Sequence, residues 1–272
     1  MSDGKILNEL GTLWIGDRLG AIELASLHSF VALGHRPTVY SYAPISNLPE
    51  QVDAGDAATI MPSARILVYK DRKKPSPALH ANLFRYAMIA QTGKVWVDLD
   101  IIALRPFDFA TDHVFGLERA GSVNNAVLGL GSQSPTLTDL LKFRPETRGV
   151  APHITGLRRA KYWLKTLGRG QPIDGWAWGS TGPKALTLYL QKHGEIEHAL
   201  SPEAFYPVAV HDHAQLLEPG RLTETDFGPG SFSIHLWGSR IRDTMRKLHD
   251  GVAPKGSFLD WSFNRARTAG FL

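Results

Sequence analysis

The feature that most constrains this chain is the run Val95-Trp96-Val97-Asp98-Leu99-Asp100. It follows a helical pattern that begins after Lys74, with Ser76 as cap and Pro77 in the first turn, and ends at Gly93. A near-continuous apolar run entered from a helix suits a central strand buried on both faces, which is how parallel sheets are built. The beginning of the chain agrees. An apolar segment at Thr12–Ile15 leads through Gly16 and Gly20 to a helical stripe from Ile22 to Leu33, closed by Gly34 and followed by the β-rich TVYSY. This β-α-β opening predicts an α/β protein. With 272 residues, 43% of them hydrophobic and 21% charged, the chain can bury one full core.

Further along, the Pro-, Asn- and Gly-rich stretch 44–62 is expected to be loop and ARILVYK (64–70) a strand. VFGLE, NAVLGLG and SFSIHLWG read as strands and SPTLTDLLKF as a capped helix. The 30 Lys and Arg against 26 Asp and Glu leave a net charge of only +4, which gives no reason to expect a nucleic-acid partner. The pI of 9.3 overstates this surplus, because a chain without cysteine has little that titrates between the histidines and the tyrosines or lysines. The absence of cysteine also excludes disulfides, thiolate metal sites and a thiol nucleophile. No run approaches the ~18 apolar residues of a bilayer span, and acids stand among the first residues, so the expected location is the cytoplasm.

One stretch is strongly lopsided. Between Lys142 and Arg169 the only acid is Glu146, against the eight bases Lys142, Arg144, Arg148, Arg158, Arg159, Lys161, Lys165 and Arg169. Within it Leu157, Ala160, Leu164 and Leu167 recur at helical spacing, with Trp163 beside them. The commoner arrangement packs such a stripe on the core; the sharper one lays segment 142–169 on an anionic membrane surface.

Asp98 and Asp100 stand two apart at a strand end, the position where open α/β sheets bind ligands, and a turn is needed to bring both to one side. Two close carboxylates repel unless a cation lies between them, and hard oxygen ligands suit Mn²⁺ or Mg²⁺. Such an ion can also hold diphosphate oxygens and stabilise the charge on a departing nucleoside diphosphate.

The run from His80 to Pro106 resembles the DxD-motif glycosyltransferases, in particular the α1,4-galactosyltransferase and α1,4-N-acetylglucosaminyltransferase group and its bacterial capsule and lipopolysaccharide relatives. Arg85, Gly93, Trp96, Asp98, Asp100, Arg105 and Pro106 match the family pattern. LWIG at Trp14, GSTGPKALT from Gly179, EAFYPV from Glu203 and SIHLWG around His235 follow in the family's order and extend the resemblance over most of the chain. Ala81 and Asn82 replace the family's Ser-Asp, and Thr92 displaces one Gly of its turn.

The resemblance implies a GT-A fold in one domain, 1–272, with residues 1–118 as nucleotide-sugar half and 119–272 as acceptor half. It also implies a nucleotide-sugar donor such as a UDP-sugar, a saccharide or lipid-linked acceptor, Mn²⁺ or Mg²⁺, and retention of anomeric configuration. Asp100 and Arg85 are expected to stabilise charge in the reaction, with Asp98, Asp100 and His235 as metal ligands. Asn82 and Arg85 share a helix face for the donor, and Asn125, beside Asn124, is placed near the donor sugar. Flat aromatics stack on bases, so Trp14 and Tyr42, with Tyr40, are candidates for the uracil and ribose pocket. Asp174, Trp178 with Trp176, and the turn to Gly182 are candidates for the acceptor side, the two tryptophans alternating along a strand. Two other readings compete: a haloacid-dehalogenase-like phosphatase using Asp98 and Asp100, against which stands the third of the chain that precedes them, and a non-catalytic carbohydrate-binding protein.

Overall fold

The structure, a computed structural model, describes residues 6–70 and 75–272. Its strands are β1 (Leu10–Trp14), β2 (Thr38–Ser41), β3 (Asp53–Asp56), β4 (Val95–Val97), β5 (Ile101–Ala103), β6 (Leu117–Arg119), β7 (Ser122–Val123), β8 (Val127–Leu128), β9 (Arg148–Gly149), β10 (Gln171–Pro172) and β11 (Ser233–His235). Its helices are α1 (Ala21–Val31), α2 (Ala57–Ile60), α3 (Ala78–Thr92), α4 (Pro135–Leu140), α5 (Gly156–Lys165), α6 (Pro183–His193), α7 (Pro202–Phe205), α8 (Gly238–Leu248) and α9 (Phe258–Thr268).

The fold is mixed α/β around a five-stranded sheet of order β3-β2-β1-β4-β8. The first four strands run parallel and β8 is antiparallel to β4. Alternate residues supply opposite faces. Leu13, Tyr40, Trp96 and Leu128 join one core with residues of α3, α4 and α6, while Leu10, Val95, Val97 and Val127 join another with Phe30, Phe107 and Phe205. The expectation of a strand buried on both faces at Val95–Val97 is met for that reason. Helix α3 ends where expected: Gly93 takes the left-handed conformation at φ 69°, where a Cβ is costly, and its N–H closes on the Ile89 carbonyl. At its start Pro77 takes the cap position that Ser76 was expected to fill.

Two segments depart from expectation. Residues 53–60, expected as loop, form β3 and α2. Backbone pairing at the open edge of the sheet needs no apolar side chains, so Asp-Ala-Gly-Asp suffices, and Asp56 caps α2 by accepting the Ala58 N–H at 2.8 Å. Residues 64–70, expected as a strand, make only a bridge between Tyr69 and Ser76. β3 already fills the edge beside β2, and Leu67 and Tyr69 turn into the core.

Residues beyond 118 complete the sheet through β8, and β11 pairs antiparallel with β5. Among the described residues no helix is long and apolar enough to cross a membrane.

Candidate functional site

The parallel strands deliver Trp14, Ser41, Asp56 and Val97 to one edge of the sheet, and Asp98 and Asp100 follow immediately. The Ile101 N–H donates to the Asp98 carbonyl at 3.2 Å, closing a turn that turns both carboxylates to one side. His235 comes from the far end of the sequence. Its residue lies opposite Ile101 in the β11–β5 ladder, the Leu236 N–H donates to the Asp100 carbonyl at 2.8 Å, and the imidazole Nε2 reaches Asp100 Oδ2 at 3.2 Å. The N–H of Gly238, at the start of α8, donates to the same oxygen at 2.7 Å.

Asp98 is held from the other side. Arg85 Nη2 and Trp96 Nε1 donate to its Oδ1 at 2.7 and 2.6 Å, and the Arg85 guanidinium lies 4.5 Å from the Trp96 ring centre. Arg85 also donates to Asn82 Oδ1 at 2.7 Å, as does the Asn125 amide at 3.0 Å, while the Asn82 amide donates to Thr181 Oγ1 at 3.2 Å. A Cβ on Gly182 would stand 2.8 Å from Asn82 Nδ2, so only glycine lets the 179–182 turn approach the two asparagines. Arg85 Nε, Ser180 Oγ and His235 Nδ1 are buried with no hydrogen-bond partner among the described residues.

Seven of the residues singled out in the sequence thus form one contiguous site: Asn82, Arg85, Asp98, Asp100, Asn125, Gly182 and His235. The others lie differently. Trp14 stands at the same sheet edge but donates its Nε1 to the Arg18 carbonyl at 3.2 Å. The Tyr42 hydroxyl is engaged between Met61 O at 2.8 Å and His80 Nε2 at 2.8 Å, away from the carboxylates' network. Asp174 pairs with Lys70 at 2.8 Å. Trp176 and Trp178 do not alternate on a strand: a 3-10 turn at Ile173–Gly175 and the bends after it bury Trp176 and leave Trp178 48% exposed. Tyr69 was not foreseen as a site residue, and Thr181 only as part of the turn from Gly179 to Gly182. Their hydroxyls lie 2.6 Å apart, and Tyr86 of α3 donates to the Thr181 carbonyl at 2.8 Å, which fixes the turn against α3. The signal for it in the sequence was the shared helix face of Asn82 and Arg85.

Burial and the charge environment set the three titrating groups apart. Burial raises Asp98, with the Asp100 charge acting the same way, and the two prevail over the pull of Arg85. For Asp100 burial is outweighed by His235, the Gly238 N–H and Arg242, which hold it down at about 2. Burial would lower His235, but Asp100 and Asp98 outweigh it and raise the imidazole above its ordinary value. His235 therefore holds a proton more readily than an ordinary imidazole, because both carboxylates act on it.

The donor set fits a divalent ion. Ligand atoms of Asp98, Asp100 and His235 lie within 4.8 Å of one another. Bonds of about 2.1 Å to an octahedral ion place ligand atoms roughly 3–4 Å apart, a closure within reach of side-chain rotation. Each carboxylate also keeps one oxygen outside the bonds described above. No protein-family model matches this chain, and no curated protein matches it.

Proposed function

We propose that the protein is a metal-dependent glycosyltransferase of the GT-A type that moves a hexose from a nucleotide-sugar donor, a UDP-sugar in the simplest case, to a saccharide or lipid-linked acceptor with retention of configuration. The observation that carries this reading is the convergence of Asp98, Asp100 and His235 within 4.8 Å of one another beside the buried Arg85 at the ligand-binding edge of a parallel sheet. Motif resemblance adds the donor class.

Mn²⁺ or Mg²⁺ held by Asp98, Asp100 and His235 would act as a Lewis acid on the diphosphate. The chain's own residues do the rest. Gly238 N–H and His235 orient Asp100, while Trp96 and Arg85 orient Asp98. Arg85 is immobilised by Asn82 and Trp96, so its charge is preorganised for a diphosphate and costs no reordering during the reaction. Asn82 accepts from Arg85 and Asn125 and donates to Thr181, and its part is to position Arg85 and the 179–182 turn. In the transfer the bond from the anomeric carbon to the phosphate oxygen breaks as the acceptor oxygen bonds to that carbon, and the acceptor's proton passes to the departing phosphate. No side chain is needed as base.

The test is release of nucleoside diphosphate from UDP-, GDP- and CDP-sugars with Mn²⁺ and with EDTA. Mn²⁺-dependent release from one donor class, lost in Asp100→Ala, is the expected result. Full release in that variant, or phosphate release from phosphomonoesters instead, overturns the reading.

A further inference from the structure

Helix α5 carries its apolar stripe on the outside. Leu157 is 91%, Leu164 77% and Leu167, just past the helix end, 88% exposed. No residue of Gly156–Lys165 is buried. The helix is attached through the partly buried Tyr162 and Trp163, which pack on the main core. At about 100° per residue Leu157 and Leu164 fall within roughly 20° of each other, and Tyr162 and Trp163 straddle the opposite side. The expected packing of the leucine stripe on the core is thus reversed, because the two aromatics win the inward face.

Single exposed leucines are ordinary, but a stripe of them on one helix marks an interaction surface. Its surroundings define the partner. From Thr147 to Ile173 there is no acid, while Arg148, Arg158, Arg159, Lys161, Lys165 and Arg169 are basic. Around the helix Lys161, Lys165 and Arg158 flank the leucines on one side, while Arg159 falls on the side of Tyr162 and Trp163. A second copy would bring the same positive charges face to face. A nucleic acid would satisfy the bases but leave the leucines in water. Leucines beside bases match a surface that is apolar beneath and anionic on top.

We propose that α5 is a docking helix for an anionic phospholipid bilayer, its leucines entering the interface and its bases meeting headgroup phosphates. The inner side of α5 borders a cavity of about 140 Å³ shared with Trp176 and Ala177. From there the chain passes directly through Trp178 to Thr181 and Gly182 at the carboxylate site. A lipid surface on α5 therefore lies beside the segment that reaches the site, which suits a lipid-linked acceptor. That last step rests on the proposed transferase; the docking does not.

The experiment is co-sedimentation of the full chain with phosphatidylglycerol–phosphatidylcholine vesicles and with phosphatidylcholine alone. Binding is expected only to the anionic vesicles and falls as salt is raised from about 0.1 M to about 1 M. The triple variant Leu157→Ser, Leu164→Ser, Leu167→Ser is expected to lose roughly tenfold or more in affinity. Arg158→Glu with Lys161→Glu and Lys165→Glu abolishes binding, each base contributing roughly fivefold. All these side chains are outside the core, and an unchanged circular dichroism spectrum and melting temperature confirm folding. Leu248→Ser, at a residue 71% exposed on α8, leaves binding unchanged. No binding at low salt, or equal binding by the α5 variants and the parent, overturns the proposal. So does a dimer that forms in the parent and disappears in the leucine variant. The readout needs no sugar transfer, so an inactive protein that binds vesicles refutes the function and keeps the docking.

Discussion

Two sites among the described residues where aspartate meets histidine and cationic side chains are opposites. Asp139 on α4 is almost fully buried and is surrounded by its own partners: Lys192 Nζ at 2.7 Å, His193 Nε2 at 2.8 Å and Lys142 Nζ at 2.5 Å. Burial acts to raise it, but these cations outweigh burial and hold it far below the carboxylate range. Among the described residues Asp98 bonds to Arg85 and Trp96, and Asp100 to His235 and the Gly238 N–H, and these bonds are gathered on one oxygen of each. Asp139 is a completed clamp tying α4 to α6, whereas the pair at the sheet edge keeps one oxygen of each carboxylate outside these bonds and is, on the proposed reading, an incomplete ion cage. The difference shows that composition of a cluster says little; what matters is whether the protein itself completes it.

The largest separation between the two is in turnover. Asp100→Ala is expected to lower nucleotide-sugar turnover by roughly 10³-fold, the scale seen when a preorganised electrostatic group is removed. Asp139→Asn should leave turnover within a few-fold of the parent. Parallel assays decide the point, and an inactive but folded Asp139→Asn would mean that the clamp also serves the site. A second separation lies in metal binding. Mn²⁺ without nucleotide is expected to raise the melting temperature of the parent and of Asp139→Asn but not of Asp100→Ala or His235→Ala, because only a ligand of the native state stabilises it. A rise in all four would place the ion elsewhere.

Stability reverses the order. Removing the charge of Asp139 leaves Lys142, Lys192 and His193 without their common partner. The two lysines are more than half exposed and relax into water, so the loss is about 1–2 kcal/mol rather than the ~3–5 kcal/mol of a fully enclosed pair. Urea midpoints measure it.

How far the sequence announced these regions follows from the range of the forces involved. The β-α-β opening, α3 with its Gly93 stop and the doubly buried β4 were legible because they depend on local periodicity and one glycine. Asp98 and Asp100 were legible from their spacing at a strand end, while Arg85, Asn82 and His235 were singled out through the motif resemblance, His235 from more than a hundred residues away. The pairing of Tyr69 with Thr181 of the 179–182 turn was not legible, since it joins segments 112 residues apart and Tyr69 has no local signature. β3 was missed because an edge strand draws on backbone bonds that Asp and Gly supply as well as Val does. In α5 the periodicity was right and its direction was not: period 3.6 locates a stripe, but only Tyr162 and Trp163 docking on the core decides which face looks inward.

The finest contrast is in pH dependence with metal removed by EDTA. Asp139 is depressed in the folded state, so the folded protein binds fewer protons there than the unfolded chain; its stabilisation is present above the ordinary pKa near 3.8 and is lost as pH falls below it. Asp98 is raised, so its sign is opposite. Its penalty is absent in acid and grows as pH rises through the window above 3.8, where burial and Asp100 resist its ionisation. Asn in place of Asp98 keeps an oxygen for Trp96 Nε1 and Arg85 while removing the charge. Asp98→Asn is therefore expected to be more stable than the parent at neutral pH and equal to it in acid, as functional sites commonly trade stability for activity. Asp139→Asn is less stable at neutral pH and likewise converges with the parent in acid. Urea midpoints of the three proteins from neutral to acid pH should form a fan that closes toward low pH. If Asp98→Asn falls on the same side as Asp139→Asn, then Arg85 dominates Asp98, the cage is complete without a cation, and the distinction between the two clusters fails.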